Sequence, residues 1–194
     1  MHRLPGSFTA VCVISLVLAI LGSMVTCAGA FTTIFQDQIV NAGGGVNAPP
    51  QAVIDLQQDW LPVQILFLIW RGVTVILLLI GSIMGLNKAL AARTWLLAAV
   101  TCGLIFELAN IGPHVWLQLK TMDIMKAELL GKAGGPPEGF FTAAVGVGIA
   151  VSVGTVLVKV AFYIWGHFVL RNKQVVAAFS GTADDEDEPQ DEWS

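Results

Sequence analysis

A chain of 194 residues that is 55% hydrophobic and only 12% charged lies outside the range of soluble domains, in which about a quarter of residues carry charge. The formal net charge of -4 is local: Asp184, Asp185, Glu186, Asp187, Glu188, Asp191 and Glu192 supply 7 of the 14 acids. The first 183 residues therefore carry 10 basic against 7 acidic groups, which excludes a strongly charged soluble domain and leaves an all-α integral membrane protein.

Four stretches, at about 8–31, 63–86, 95–111 and 141–170, are apolar over the length needed to cross a hydrocarbon core of roughly 30 Å. The expected fold is a bundle of four transmembrane helices over residues 1–178, with short interfacial helices in its outer loops, followed by a disordered acidic tail at 179–194. The first stretch is ambiguous. His2 and Arg3, the run from Val11 to Leu21, and the small triplet Ala28, Gly29 and Ala30 also fit a cleavable secretory signal. The apolar run continues past Val25, longer than a typical signal core, so four spans remain the working count.

Between the first and second spans lie the glycine-rich segment 41–45 and then Pro49 and Pro50, which can open a short helix. Its Val53, Leu56, Trp60 and Val63 share one face, as in a helix lying on the membrane surface. Lys88 and Arg93 fill the tight connection between the second and third spans. After the third, Gly112 and Pro113 interrupt the run, and a separate interfacial helix is expected from Pro113 to about Leu130. Its Leu119, Met122, Met125 and Leu129 form an apolar stripe that either caps the bundle or docks a partner. Gly134, Gly135, Pro136 and Pro137 turn the chain into the fourth span.

Basic residues set the expected orientation. Arg3, Lys88, Arg93, Arg171 and Lys173 fall on one side, and Lys120, Lys126 and Lys132 on the other. The larger group marks the cytoplasmic side of a plasma membrane and puts both termini there. Trp60 and Trp116 near the outer ends, and Trp95 and Trp165 near the inner ends, suit the amphipathic membrane boundary.

Three ionisable residues lie within the spans: Arg71, Glu107 and Lys159. At 1.5 Å per residue Arg71 lies about 12 Å in from the outer boundary at Val63, and Glu107 and Lys159 lie about 18 Å from the inner boundaries at Trp95 and Arg171, so in a core of roughly 30 Å all three sit roughly 12 Å below the outer surface. One such charge costs about 2.5–3.5 kcal/mol in an isolated helix, so all three are expected inside the bundle as a paired cluster. Helical faces point the same way. Ala99, Gly103, Glu107, Asn110 and His114 make one polar stripe, Gly148, Ser152, Thr155, Lys159, Tyr163 and Gly166 another, and Gln64, Arg71, Thr74, Gly81 and Gly85 a third. Asn110, Thr155 and Tyr163 are thus the expected polar lining of the cluster.

The simplest arrangement pairs Arg71 with Glu107 and leaves Lys159 to backbone carbonyls, Tyr163 or water. Two cations against one carboxylate leave a surplus positive charge, which Lys159 sheds with its proton or an anion, a lipid headgroup or a proton-relay role offsets. Gly146, Ala150 and Gly154, with Gly148 and Ser152 beside them, form a small-xxx-small pattern that lets helices approach closely, and Ser15, Ala19, Gly22 and Thr26 do likewise in the first span.

No catalytic motif is present, and Glu107 is the only carboxylate within the spans. Cys12, Cys27 and Cys102 lack metal-ligand spacing, and His114 and His167 fall near opposite membrane faces, so no catalytic residue, metal site or cofactor is expected. The reading is a non-enzymatic multi-pass protein, an accessory, scaffold or interaction subunit of a membrane assembly. The alternative is a small oligomeric transporter or proton-coupled channel using Arg71, Glu107 and Lys159. Expected partners are the lipid bilayer, further copies or other membrane proteins, and a basic partner for the acidic tail. No nucleic acid is expected.

Overall fold

The computed structural model describes residues 5–35, 50–129 and 138–180. Among these, 94% are helical and there is no strand. Four helices are long and apolar enough to cross a membrane: α1 (Gly6–Ile34), α2 (Gln51–Leu86), α3 (Ala92–Leu129) and α4 (Glu138–Arg171). A short α5 (Lys173–Ser180) follows. The acidic segment beyond it, and the glycine- and proline-rich stretches at 41–49 and 134–137, lie outside the described residues.

Two segments expected as separate interfacial helices are continuous with the spans. Pro50 opens α2, and the helix runs on through Pro62; α3 runs through Gly112 and Pro113. Proline removes one hydrogen bond and crowds the preceding turn, yet membrane helices tolerate it when neighbouring groups support the freed backbone. Near the two prolines in sequence, the Trp60 and Trp116 rings pack in a tilted arrangement with centroids 4.8 Å apart and hold α2 to α3. At 1.5 Å per residue, α2 and α3 are roughly 54 and 57 Å long, well beyond the roughly 30 Å of hydrocarbon they need to span.

Contacts order the helices as an antiparallel sequence. Along α1 and α2, Gly22 faces Val75, Gly29 faces Leu68, and Gly85 faces Cys12. Along α2 and α3, Phe67 and Trp70 meet Phe106, and Gly81 meets Leu96. Along α3 and α4, Gly103 lies under the Tyr163 ring and Val100 lies beside Gly166. The turn from α2 to α3 closes as a Schellman motif: Lys88 N–H donates to Gly85 O at 3.1 Å and Ala89 N–H to Met84 O at 2.9 Å. Lys88 takes the left-handed position with φ of 56°, where glycine is usual.

The core sits at the end of the bundle holding Arg93. Phe8, Cys12, Leu78, Leu96, Val100, Leu170 and Val175 are buried there, drawn from all five helices. The Arg93 Nε–H donates to Leu170 O at 2.8 Å, satisfying a carbonyl that the last turn of α4 cannot. Asn172 caps α5 by accepting from Gln174 N–H at 2.9 Å, and Phe179 packs on Phe8 with ring centroids 4.9 Å apart. That contact seals the Arg93 end with a helix whose shortness left no clear signal in the sequence. Because Phe8, Val11, Cys12, Ser15 and Ala19 are fully buried, α1 is an integral wall of the bundle.

Candidate functional site

Toward the Trp60 end the bundle is open. A cavity of about 620 Å³ lies among the four long helices, with walls from Leu21 and Val25 of α1, Arg71 and Val75 of α2, Glu107 of α3, and Thr155, Lys159 and Tyr163 of α4. Its surface is overwhelmingly apolar, and the three ionisable groups of the spans all border it.

The pairing differs from the simplest expectation. Glu107 accepts from Lys159 Nζ at 2.8 Å, whereas Arg71 makes no ion pair among the described residues. The reason lies in the rotation of α3. Cys102 and Phe106 occupy its α2 side, where Trp70 Nε1–H donates to Cys102 Sγ at 3.2 Å, Thr74 Oγ1 lies 3.4 Å from the same sulfur, and Phe106 meets Phe67 and Trp70. One residue further round, about 100°, Glu107 shares with Gly103 the side that faces α4. Its carboxylate is therefore presented to Lys159, while Phe106 beside it meets the α2 rings. Glu107 is buried at 4% exposure, so the ammonium meets it away from lipid.

Arg71 belongs to a different face of its own helix. Leu68 and Val75 of α2 pack against glycines of α1, and Arg71 lies between them in sequence and borders the large cavity. It also borders a second cavity of about 340 Å³, together with Trp60, Gln64, Asn110 and His114. Asn110 thus lines the second cavity and accompanies Arg71, apart from the Glu107–Lys159 pair. Thr155 and Tyr163 line the larger one: the Thr155 hydroxyl donates to Val151 O of its own helix at 2.8 Å, and the Tyr163 ring covers Gly103.

The small residues of α4 do not bring backbones together within this chain. A side chain added at Gly146, Gly148 or Gly154 would meet nothing within 4 Å; Ala150 is exposed and Ser152 half-buried. The expected close packing through this stripe is not made among the described residues: Gly154 borders the large cavity, and Gly148 borders another beside His114, Met122 and Met125 of α3. The chain instead uses Gly22, Gly81, Gly85 and Gly103, where an added Cβ would come within 3.0 Å or less of a neighbouring helix. The first-span stripe does face inward, with Ser15 and Ala19 fully buried.

Among the described residues, no group of three or more His, Cys, Asp or Glu side chains is placed to hold a metal ion. The site's chemistry is that of one neutralised ion pair and one unmatched guanidinium beside an apolar volume. No family model matches the sequence, and neither a curated protein nor a solved structure shows similarity to it.

Proposed function

We propose that this multi-pass membrane protein works by association, as a non-enzymatic scaffold or accessory subunit, and that its first contact is between the α4 helices of two copies. The observation that carries the reading is the uncovered stripe on α4. Gly146, Ala150 and Gly154 recur at one helical face; among the described residues nothing lies within 4 Å of a side chain added at either glycine, Ala150 is exposed, and Gly154 also borders the large cavity. In lipid, helices associate through close van der Waals packing, which is strongest where small residues let backbones approach. Two identical stripes are complementary to each other in this sense, because closeness needs small residues on both sides.

The distribution of basic residues supports a plasma-membrane orientation with both termini in the cytoplasm, since Lys88, Arg93, Arg171 and Lys173 fall at one end of the bundle. A second reading is a small oligomeric transporter or proton-coupled channel. The observation favouring it is that Glu107 and Lys159 border an internal cavity.

Cysteine scanning tests the association. With the three native cysteines replaced, single cysteines at Gly146, Ala150 and Gly154 in membranes should form disulfide-linked dimers, and cysteines at Val147 and Val151 should form far fewer. Ala150→Leu should abolish the dimer while leaving the monomer folded. A protein that stays monomeric in gentle detergent and cross-links without helical periodicity would remove the proposal.

A further inference from the structure

Of the three ionisable residues within the spans, Arg71 alone makes no ion pair among the described residues. Its side chain is a five-donor cation with no acceptor of its own, and the Glu107 carboxylate, the only one within the spans, is held by Lys159 at 2.8 Å. A cation at this depth is stabilised only by an opposite charge or by polar groups that reach it. Its position supplies a further constraint, because Arg71 and Phe106 belong to the walls of both cavities and mark where the two adjoin.

The cavities differ in chemistry. The larger, about 620 Å³, is walled by Leu18, Leu21, Val25, Val75, Val151 and Val158, and its size falls within the roughly 300–1,000 Å³ of small-molecule sites. The smaller, about 340 Å³, adds the amide groups of Gln64 and Asn110 and the rings of Trp60 and His114. A small inorganic anion would match Arg71 and leave the apolar volume unfilled. A neutral hydrocarbon would fill the volume and leave the charge. One molecule satisfies both: a chain of hydrocarbon ending in an anion.

We infer that the two cavities form one binding site for an anionic amphiphile, with its carboxylate or phosphate on Arg71 and its hydrocarbon chain in the larger cavity. Gln64 and Asn110 border the headgroup, and the Glu107–Lys159 pair, neutral as a unit, forms part of the chain's surroundings without competing for the anion. The open side of the bundle between α1 and α4 gives a chain lateral entry from the bilayer, since Leu21, Val25, Val151 and Val158 border the cavity while also being exposed. The site shares only Gly154 with the α4 stripe proposed for association, and its test reads ligand binding rather than dimer formation, so either proposal can fail without the other.

The test uses the full chain in phosphatidylcholine nanodiscs, with oleate, oleyl alcohol and phosphatidylglycerol as probes and native mass spectrometry as the readout. At least one of the two anions should bind at one per chain, roughly tenfold or more tighter than oleyl alcohol, as expected for a charge-assisted contact. Oleate alone assigns a free carboxylate; phosphatidylglycerol alone assigns a phospholipid headgroup. Arg71→Gln should reduce anion binding to the alcohol's level, and Arg71→Lys should recover part of it. Val151→Trp, at a lipid-facing position that tolerates bulk, should weaken anion binding with Arg71 intact. Failure of both anions to bind the unaltered protein more tightly than oleyl alcohol overturns the inference, and that result does not depend on a variant folding.

Discussion

The two ends of this bundle are built on opposite principles. At the Arg93 end, glycines let helices approach until an added Cβ would collide, and aromatic and aliphatic side chains from five helices close the space. At the Trp60 end, α2 and α3 stay zipped by Trp60–Trp116 and Phe67–Phe106, but α1 and α4 diverge around a cavity and α4 presents uncovered glycines. In a membrane this difference is informative. Lipid solvates apolar side chains as well as a protein interior does, so apolarity alone gives no reason to close a bundle, and tight packing appears where small residues or polar bonds reward it. The half with fewer such rewards is the half in which the proposed ligand and partner contacts lie.

The strongest test of that contrast is the Glu107–Lys159 bond, which ties α3 to α4 beside the cavity. Glu107→Gln leaves the Lys159 ammonium without its counter-charge; by analogy with buried pairs broken at one side, the loss should approach 3–5 kcal/mol, read as a fall in thermal stability in detergent. Replacing both partners, Glu107→Gln with Lys159→Met, should recover most of it. Should the single variant instead fold and assemble normally but lose a measurable ion or solute flux, the transport reading gains over association.

A smaller effect is expected from filling the closed half. Gly103→Ala places a Cβ 2.6 Å from Tyr163 Cζ, and the rigid ring must shift, at a cost of about 1–3 kcal/mol in an overpacked core. Differential scanning of purified protein should show a clear fall in Tm. The smallest change is expected in the open half, with the opposite sign. At Gly154 the same substitution meets nothing within 4 Å, and removing a helix-interior glycine should leave stability unchanged or raise it by about 0.5–1 kcal/mol. Equal destabilisation at both glycines would dissolve the distinction between the halves.

Much of this was legible in the residues. Apolar length marked four spans, and the alternation of small and polar positions put Gly81 and Gly85, Gly103 and Glu107, and Lys159 and Tyr163 on bundle-facing stripes. What misled was punctuation. Gly112–Pro113 read as a break because proline breaks helices in water, but packing of α2 on α3 carries α3 past it, as it carries α2 past Pro62. The α4 stripe misled in another way: small residues announce that a surface permits close approach, and they do not say which neighbour makes it.

Sequence by itself determined that four helices enter a bilayer and that three charges lie within them, because transfer of apolar and ionised side chains depends on local composition. Only the tertiary structure decided that Glu107 belongs to Lys159 and that Arg71 stands beside a cavity. The register of Phe106 against Phe67 and Trp70 fixes the rotation of α3, and a rotation of about 100° is the difference between one cation and the other.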